Sequence, residues 1–249
     1  MLMAAGRRRG PPPWAVLIVV LLCARPLISD LQHGNVNIIV MFLVVSGLWA
    51  LTKGRPLLAG AAIGLSIAVK VTPGLFLPYL AYKRRWRALM GCGLGIALSV
   101  LLPTLVLGLK GNYNQHCNWY DFMIKPYATK GAVAYQGHIN QSLSALSMRL
   151  FTETDGVYKP RILGGEIGDN WKINLMSLDH LLVTSVTRVF MLAILAWGIF
   201  VCRTRWLDAR DWRLPCEFSL VFIAMLMLSA WTCKHHFVTI VLPIACVVT

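Results

Sequence analysis

Long apolar runs separated by short basic clusters are the feature that most constrains this chain. Of its 249 residues, 57% are hydrophobic and only 14% are charged, whereas soluble domains carry about 25% charged residues. A helix needs roughly 20 apolar residues to cross the bilayer core. We therefore predict an all-α, polytopic transmembrane helical bundle. The predicted spans cover residues 14–24, 36–52, 57–69 with 74–82, 88–109, 181–202, 216–231 and 237–249.

The positive charge of the chain lies at the ends of these runs. The net charge is +14, but the cations occur in clusters at Arg7–Arg9, Lys53–Arg55, Lys83–Arg87 and Arg203–Arg213. Such clusters mark the cytoplasmic ends of membrane spans, so we expect membrane lipids and no nucleic acid as partners. We predict a multi-pass protein of the plasma membrane with a cytoplasmic N-terminus. The first run is interpreted as a retained anchor rather than a cleaved signal peptide.

The stretch Leu57–Tyr82 interrupts this pattern, because Lys70 and Pro73 lie in its middle. Each half is too short to cross, since 13 helical residues span roughly 20 Å. If the stretch enters and returns as a re-entrant or short-helix hairpin, 13 Lys and Arg lie inside and three outside; a single span gives six and nine. The positive-inside rule favours the hairpin. Lys70 then lies at its tip, where it either lines a cavity or reaches the headgroups.

On this topology, polar residues collect on the outer side of the membrane. Gln32, Asn35 and Asn37 precede the second span, Lys234-His235-His236 precede the last, and residues 110–180 form a long outer region. A region of this length is usually functional or contains short helices. The apolar spacing of Gln141–Phe151 predicts one such helix. The polar residues before the second span could also simply cap that helix.

Motifs for nucleotides and metals do not occur in the sequence. It contains no P-loop, no GxGxxG after a strand and no CxxC spacing, so we predict no metal and no cofactor. Cys117 and Cys233 both lie on the predicted outer side, which allows a disulfide. Small buried hydrophobic residues are the preferred interpretation of the cysteines.

Four segments, in order, resemble glycosyltransferase family 87, also called DUF2029. They are RPLISDLQHGNVNIIV, LLAGAAIGLSIAVKVTPGLFLPYLAYKRRWRAL, HINQSL and LSAWTCKHHFVTIVLP. The resemblance implies a GT-C-like fold with its active site on the outer face. It also implies transfer of a hexose, mannose above all, from a polyprenyl-phosphate-linked donor to a glycolipid or polysaccharide acceptor.

This chemistry assigns candidate roles to the polar residues. A leaving phosphate requires cations, which points to Lys70, with Lys234 and Arg25 as helpers. Sugar or acceptor binding is expected from amides and imidazoles, and the candidates are Gln32, Asn35, Asn37, Asn140, Gln141, His235 and His236. The amides could equally tie loops together, and the two histidines could cap the helix that follows them.

The catalytic base is the least certain element of this assignment. Attack by a hydroxyl requires a carboxylate base, and Asp30 is the acidic residue of the predicted first outer loop. In the family the catalytic aspartate lies upstream of this segment, so we expect the chain to be a fragment of a longer protein that carries the base; a mis-started reading frame and a degenerate copy are the alternatives. Capping a helix is the other role for Asp30. Acidic residues of the long outer region are further candidates, which nothing ranks: Asp121, Glu153, Asp155, Glu166, Asp169 and Asp179.

Two other functions are consistent with the same features. A broken helix with a cation inside the bilayer also occurs in secondary transporters, although the sequence contains no internal repeat. A non-catalytic membrane subunit is the second alternative. Loss of hexose transfer on substitution of Lys70, with the fold retained, would distinguish the enzyme from both.

Overall fold

The computed structural model describes residues 11–125, 139–157, 171–204 and 211–248. Helices dominate these ranges, which confirms the all-α class. The helices are α1 (Pro13–Gln32), α2 (Asn37–Thr52), α3 (Pro56–Val69), α4 (Phe76–Tyr82), α5 (Trp86–Leu101), α6 (Thr104–Trp119), α7 (Leu143–Phe151), α8 (His180–Val201), α9 (Arg213–Leu228) and α10 (Val241–Val248). Turns of 3₁₀-helix lie at Thr72–Leu75 and Lys234–Ile240, and a π-helical turn lies at Tyr120–Ile124.

A two-stranded antiparallel pair, β1 (Asp155–Val157) and β2 (Trp171–Lys172), adds to the helices. The apolar pattern does not indicate these strands. The helix expected over Gln141–Phe151 is present as α7, and the side chain of Ser142 caps it by accepting a hydrogen bond from the backbone of Ala145. The Arg7–Arg9 cluster and the candidate acids Glu166 and Asp169 lie outside the described residues, and so does the first residue of HINQSL.

Within the described residues, α1 and α8 are each long and apolar enough to cross a membrane. The first helix continues through Arg25 and Pro26 to Gln32, beyond the predicted end at residue 24. A proline inside a helix removes one hydrogen bond without necessarily ending the helix. Arg25 therefore lies on a helix rather than in a loop.

The predicted span over residues 88–109 is bent in the structure. Helices α5 and α6 meet at an angle of 91°. The break falls at Leu102–Pro103, where the proline has no N–H to donate to the preceding turn; Leu102 itself keeps helical angles, with φ −56° and ψ −41°. Gly108 adds a second irregularity, with φ +69° inside α6. The two halves count as a third span only if the bent pair crosses as one unit.

The hairpin around Lys70 has the reversal of direction that the charge pattern predicts. Glycines in α3 and α5 pack these two helices against each other, and Gly64 lies so close that an added Cβ would come within 2.2 Å of the Cys92 carbonyl oxygen. Leu57 faces Gly91 and Ala61 faces Gly95, so the two helices run parallel. The chain must therefore return between them, which it does through residues 70–82.

Helix α3 ends at Lys70, whose backbone is extended at φ −152° and ψ 128°. Proline at position 73 cannot donate to the preceding turn, which prevents the helix from continuing. The 3₁₀ turn Thr72–Leu75 then leads into α4. This break places the Lys70 side chain at one end of the bundle.

Aromatic side chains pack α4 against α9. Phe76 is fully buried, and its ring centroid lies 4.9 Å from that of Phe218 and 5.5 Å from that of Phe222. Tyr79 meets Phe218 edge-on at 5.5 Å. The returning arm of the hairpin is therefore anchored in the core.

A buried ion pair closes the end of the bundle opposite Lys70. The Lys83 ammonium donates to Glu217 Oε1 at 2.8 Å and to the carbonyls of Cys202 and Thr204, each at 2.7 Å. The Tyr79 hydroxyl donates to Glu217 Oε2 at 2.8 Å. Lys83 belongs to the basic cluster Lys83–Arg87, but only 7% of this lysine is exposed. Its aliphatic stem is covered where α4, α8 and α9 converge.

Candidate functional site

Asp30, Asn37 and Lys70 form a hydrogen-bonded chain at one end of the bundle. Asp30 lies in the last turn of α1 and is fully buried. Its Oδ1 accepts from Nδ2 of Asn37 at 2.6 Å, and its Oδ2 accepts from the backbone N–H of Ile38 at 3.0 Å. The Lys70 ammonium donates to Oδ1 of Asn37. Residues far apart in sequence thus orient one cation.

The hydrogen bonds of Asp30 favour helix capping over general-base catalysis. Both carboxylate oxygens bind groups at the start of α2, where backbone N–H groups lack partners within the helix. Asp30 is fully buried and is not among the residues that line the Lys70 pocket. These contacts match the capping alternative, and general-base catalysis by Asp30 stays a prediction.

Lys70 opens into a pocket between α2, α9 and the two 3₁₀ turns. Eleven residues line this pocket: Asn37, Val40, Lys70, Thr72, Met225, Leu226, Ser229, Trp231, Thr232, His236 and Thr239. Lys70 is half-buried in this pocket. The pocket therefore combines a partly desolvated cation with hydroxyl, amide, imidazole and indole groups. Such a set suits an anion joined to a polyol.

The two adjacent histidines have different surroundings. His236 lines the pocket, and its Nδ1 accepts from the backbone N–H of Cys233 at 3.0 Å. His235 packs beside it, with ring centroids 4.5 Å apart, and lies 5.8 Å from the ring of His33. The expectation that the histidines cap the following segment is met by His236. The same residue also faces the pocket.

The segment Ser229–Cys233, which we call the wall segment, forms one side of the pocket. The indole Nε1 of Trp231 donates to Cys233 Sγ at 2.9 Å, and the Ser229 hydroxyl donates to the Trp231 carbonyl at 2.7 Å. Cys233 and Cys117 are both free thiols. Trp231 keeps 42% of its surface exposed. The wall segment is therefore fixed from within while an aromatic surface stays accessible.

Asn140 lies behind the wall segment rather than in the pocket. It is fully buried; its Nδ2 donates to the Ala230 carbonyl at 3.0 Å, and its Oδ1 accepts from the Thr232 N–H at 3.0 Å. The neighbouring Gln141 N–H donates to the Thr232 carbonyl. These bonds match the alternative in which an amide ties two loops together.

The other predicted residues lie at the surface outside the pocket. Arg25, Gln32, Lys234 and Gln141 are exposed and do not line it. Asn35 is half-buried, and its backbone N–H donates to the Asp30 carbonyl. Among the unranked acids, Asp179 caps α8 through the N–H groups of Leu181 and Leu182.

Sequence reasoning did not single out several residues that line the pocket. Thr72, Ser229 and Thr232 are short hydroxyl side chains beside Lys70. Their position next to the Lys70–Pro73 break and the Lys234–His236 cluster is the signal that could have found them. Among the described residues, no group of three or more His, Cys, Asp or Glu side chains is placed to hold a metal ion.

The family model for glycosyltransferase family 87 matches residues 1–230. The chain belongs to glycosyltransferase family 87. The match covers the first three of the four sequence segments, two of which supply Asn37 and Lys70, and only the first residues of the fourth. Seven of the eleven residues that line the pocket lie within the matched range.

Curated relatives of this family 87 chain are mycobacterial mannosyltransferases. A polyprenol-phosphate-mannose-dependent alpha-(1-2)-phosphatidylinositol pentamannoside mannosyltransferase of Mycobacterium tuberculosis is 28% identical over 217 residues, which cover 87% of the chain and 41% of that relative. A phosphatidylinositol mannoside mannosyltransferase of the same species is 33% identical over 90 residues, covering 35% of the chain and 21% of the relative. The chain therefore spans less than half the length of these relatives. No solved structure matches it.

Proposed function

We propose that this protein transfers a hexose, with mannose as the expected sugar, from a polyprenyl-phosphate-linked donor to an acceptor on the outer face of the plasma membrane. Family membership supports sugar transfer. The printed names of its relatives specify a polyprenol-phosphate-mannose donor and phosphatidylinositol mannoside acceptors. By similarity we propose a glycolipid acceptor for this chain as well.

The observation that carries the proposal is the Lys70 ammonium, oriented by Asn37 and opening into a pocket lined by polar groups. When the glycosidic bond breaks, negative charge grows on the phosphate of the polyprenyl leaving group. A cation held in place before the reaction stabilises that charge without reorganising. We assign Lys70 this role.

Asn37 and Asp30 are proposed as positioning residues for Lys70. The Asp30 carboxylate fixes the Asn37 amide, whose oxygen then receives a hydrogen bond from the ammonium. A flexible lysine side chain loses considerable conformational freedom when it is held in one place. The Lys70 side chain therefore loses this conformational entropy during folding rather than when the donor binds.

The orientation of the pocket follows from the arrangement of the charges. Lys70 lies at one end of the bundle, and the Lys83 ion pair lies at the other, next to the basic clusters. Because basic clusters favour the cytoplasmic side, we propose that the Lys70 pocket faces outward. Lys234 and Arg25 are exposed, where lipid headgroups are their expected partners.

The test is hexose transfer by the native full-length protein in isolated membranes supplied with radiolabelled polyprenyl-phosphate mannose. Lys70→Met is expected to lower kcat/KM by about 10²- to 10³-fold, as loss of one charge-stabilising donor does in other enzymes. Lys53→Met is the matched control, because Lys53 is exposed and remote from the pocket.

Two results would contradict the proposal. One is a wild-type protein that forms no labelled lipid but supports solute counterflow in vesicles, which would indicate a transporter. The other is a Lys70→Met protein with normal transfer, which would remove Lys70 from the active site.

A further inference from the structure

Asn140 joins the region before α7 to one side of the Lys70 pocket. Its side chain bonds the wall segment on both sides of Trp231, at the Ala230 carbonyl and the Thr232 N–H. These groups lie 90 and 92 residues away in the sequence. No local helix or turn could supply the same contacts to the wall segment.

Asn140 is itself held in place. The Arg149 guanidinium, which is 6% exposed, donates to the Asn140 carbonyl at 2.7 Å. The Asn140 Oδ1 also accepts from the Ser142 N–H at 3.0 Å, where α7 begins. Asparagine has two donors and one acceptor oxygen, and both ends of this amide are engaged. A buried network with its polar groups satisfied specifies one arrangement of its members.

The wall segment held by Asn140 presents different groups from the Lys70 side of the pocket. Lys70 supplies charge, whereas Trp231 supplies an aromatic surface; Thr232 is 1% exposed, and its hydroxyl donates to the Leu226 carbonyl at 3.2 Å. The indole N–H of Trp231 is bonded to Cys233, so the indole offers its broad apolar face, which matches the C–H face of a hexose. The two sides of the pocket therefore suit the two parts of a sugar phosphate.

We propose that Asn140 is a positioning residue that, through the Ala230 carbonyl and the Thr232 N–H, fixes Trp231 as the sugar-recognising face of the pocket wall. This inference rests on the proposed function, and it assigns the sugar moiety of the donor to the wall segment. Lys70 retains the phosphate. Displacing the wall should therefore impair recognition of the sugar while leaving affinity for the lipid phosphate intact.

The experiment compares binding of polyprenyl-phosphate mannose with that of sugar-free polyprenyl phosphate to the full-length protein in nanodiscs. Asn140→Ala removes both bonds to the wall. The preference for the sugar-bearing lipid should fall about tenfold, which corresponds to 1.4 kcal/mol of lost contact. The Kd for polyprenyl phosphate should stay within about twofold, and kcat should fall on the order of 10²-fold from misplacement of the sugar.

Two further variants separate positioning from general packing. Asn140→Asp keeps an acceptor for the Thr232 N–H but places an oxygen against the Ala230 carbonyl, so it should also lose the preference for sugar. Asn114→Ala makes the same chemical change at an exposed asparagine of α6 and should retain that preference. Trp231→Phe should reduce the preference less than Trp231→Ala, because an aromatic surface remains.

Each outcome decides between this inference and the proposed function. If the wild-type protein neither transfers hexose nor prefers the sugar-bearing lipid, the proposed function fails. If the wild-type protein transfers hexose but both Asn140 variants keep the preference, only the assignment of Asn140 and the wall segment fails. Equal loss of affinity for both lipids in both Asn140 variants would make Asn140 a packing residue and overturn the positioning role.

Discussion

Removing the Lys83 ammonium should destabilise the protein far more than removing an exposed lysine. Its side chain is 2% exposed and that of Glu217 is 6% exposed. The substitution Lys83→Met leaves the Glu217 carboxylate buried with the Tyr79 hydroxyl as its strongest remaining partner. It also takes the donor from the Cys202 and Thr204 carbonyls. Breaking a buried pair in this way costs about 3–5 kcal/mol of unfolding free energy.

A second substitution tests whether the buried charge causes that loss. Adding Glu217→Gln to Lys83→Met removes the uncompensated carboxylate, and replacing both members of a buried pair is often close to neutral. The double variant should therefore recover most of the unfolding free energy lost by the single variant. A Tyr79 hydroxyl can still donate to the glutamine oxygen, so the aromatic packing of α4 against α9 is kept.

The assay is denaturant unfolding of the purified protein in detergent micelles. Lys53→Met provides the baseline, because surface substitutions usually change stability by less than about 0.5 kcal/mol. A loss below about 1 kcal/mol for Lys83→Met would refute the reasoning from burial, since unpaired buried charges cost several times more. A double variant no more stable than the single one would show that the lost carbonyl contacts, rather than the charge, dominate.

Three further predictions concern helix packing, Asp30 and orientation. Gly64→Ala should lower the free energy of unfolding by roughly 1–3 kcal/mol through overpacking, because the new Cβ would meet the backbone of α5. Gly93→Ala is the control and should not destabilise, since nothing lies within 4 Å of its Cβ position. Equal losses of unfolding free energy in the two variants would contradict this packing of α3 against α5. If Asp30 only positions Lys70 through Asn37, Asp30→Asn should lower activity but preserve the acidic limb of the pH–rate profile; loss of that limb would identify Asp30 as the base. Lys234→Cys, in a cysteine-free background, should react with an impermeant maleimide in intact cells, and Lys53→Cys only after permeabilisation. The reverse pattern would invert the proposed topology.

The helical class, the hairpin and the position of Lys70 at its tip could be predicted because they depend on local properties of the chain. Apolar runs fix which segments become helices, and a lysine followed by a proline breaks one of them at a definite place. The distribution of cations then favours the topology in which residues 57–82 enter the membrane and return to the same side. The break after Leu101 also depends on a local feature, since Pro103 is visible in the sequence. The apolar pattern did not predict it because the apolar run continues on both sides of Pro103.

Roles of individual polar residues required the tertiary structure. Asp30, Asn140 and Lys83 each have side chains whose chemistry fits either catalysis, binding or structure. Their partners decide the outcome: Asp30 meets the start of α2, Asn140 meets Thr232, and Lys83 meets Glu217. The last two pairs are separated by 92 and 134 residues.

The sequence by itself determined a membrane-type helical bundle, the reversal at Lys70 and the family. Hydrophobicity and charge act on each segment separately, so they can be evaluated without knowing the neighbours. Only the tertiary structure decided which polar groups face the pocket and which form the hydrogen bonds within the protein that hold the pocket together. A hydrogen bond satisfies a buried group only through a specific partner at short range, and the packing of distant helices brings that partner into place.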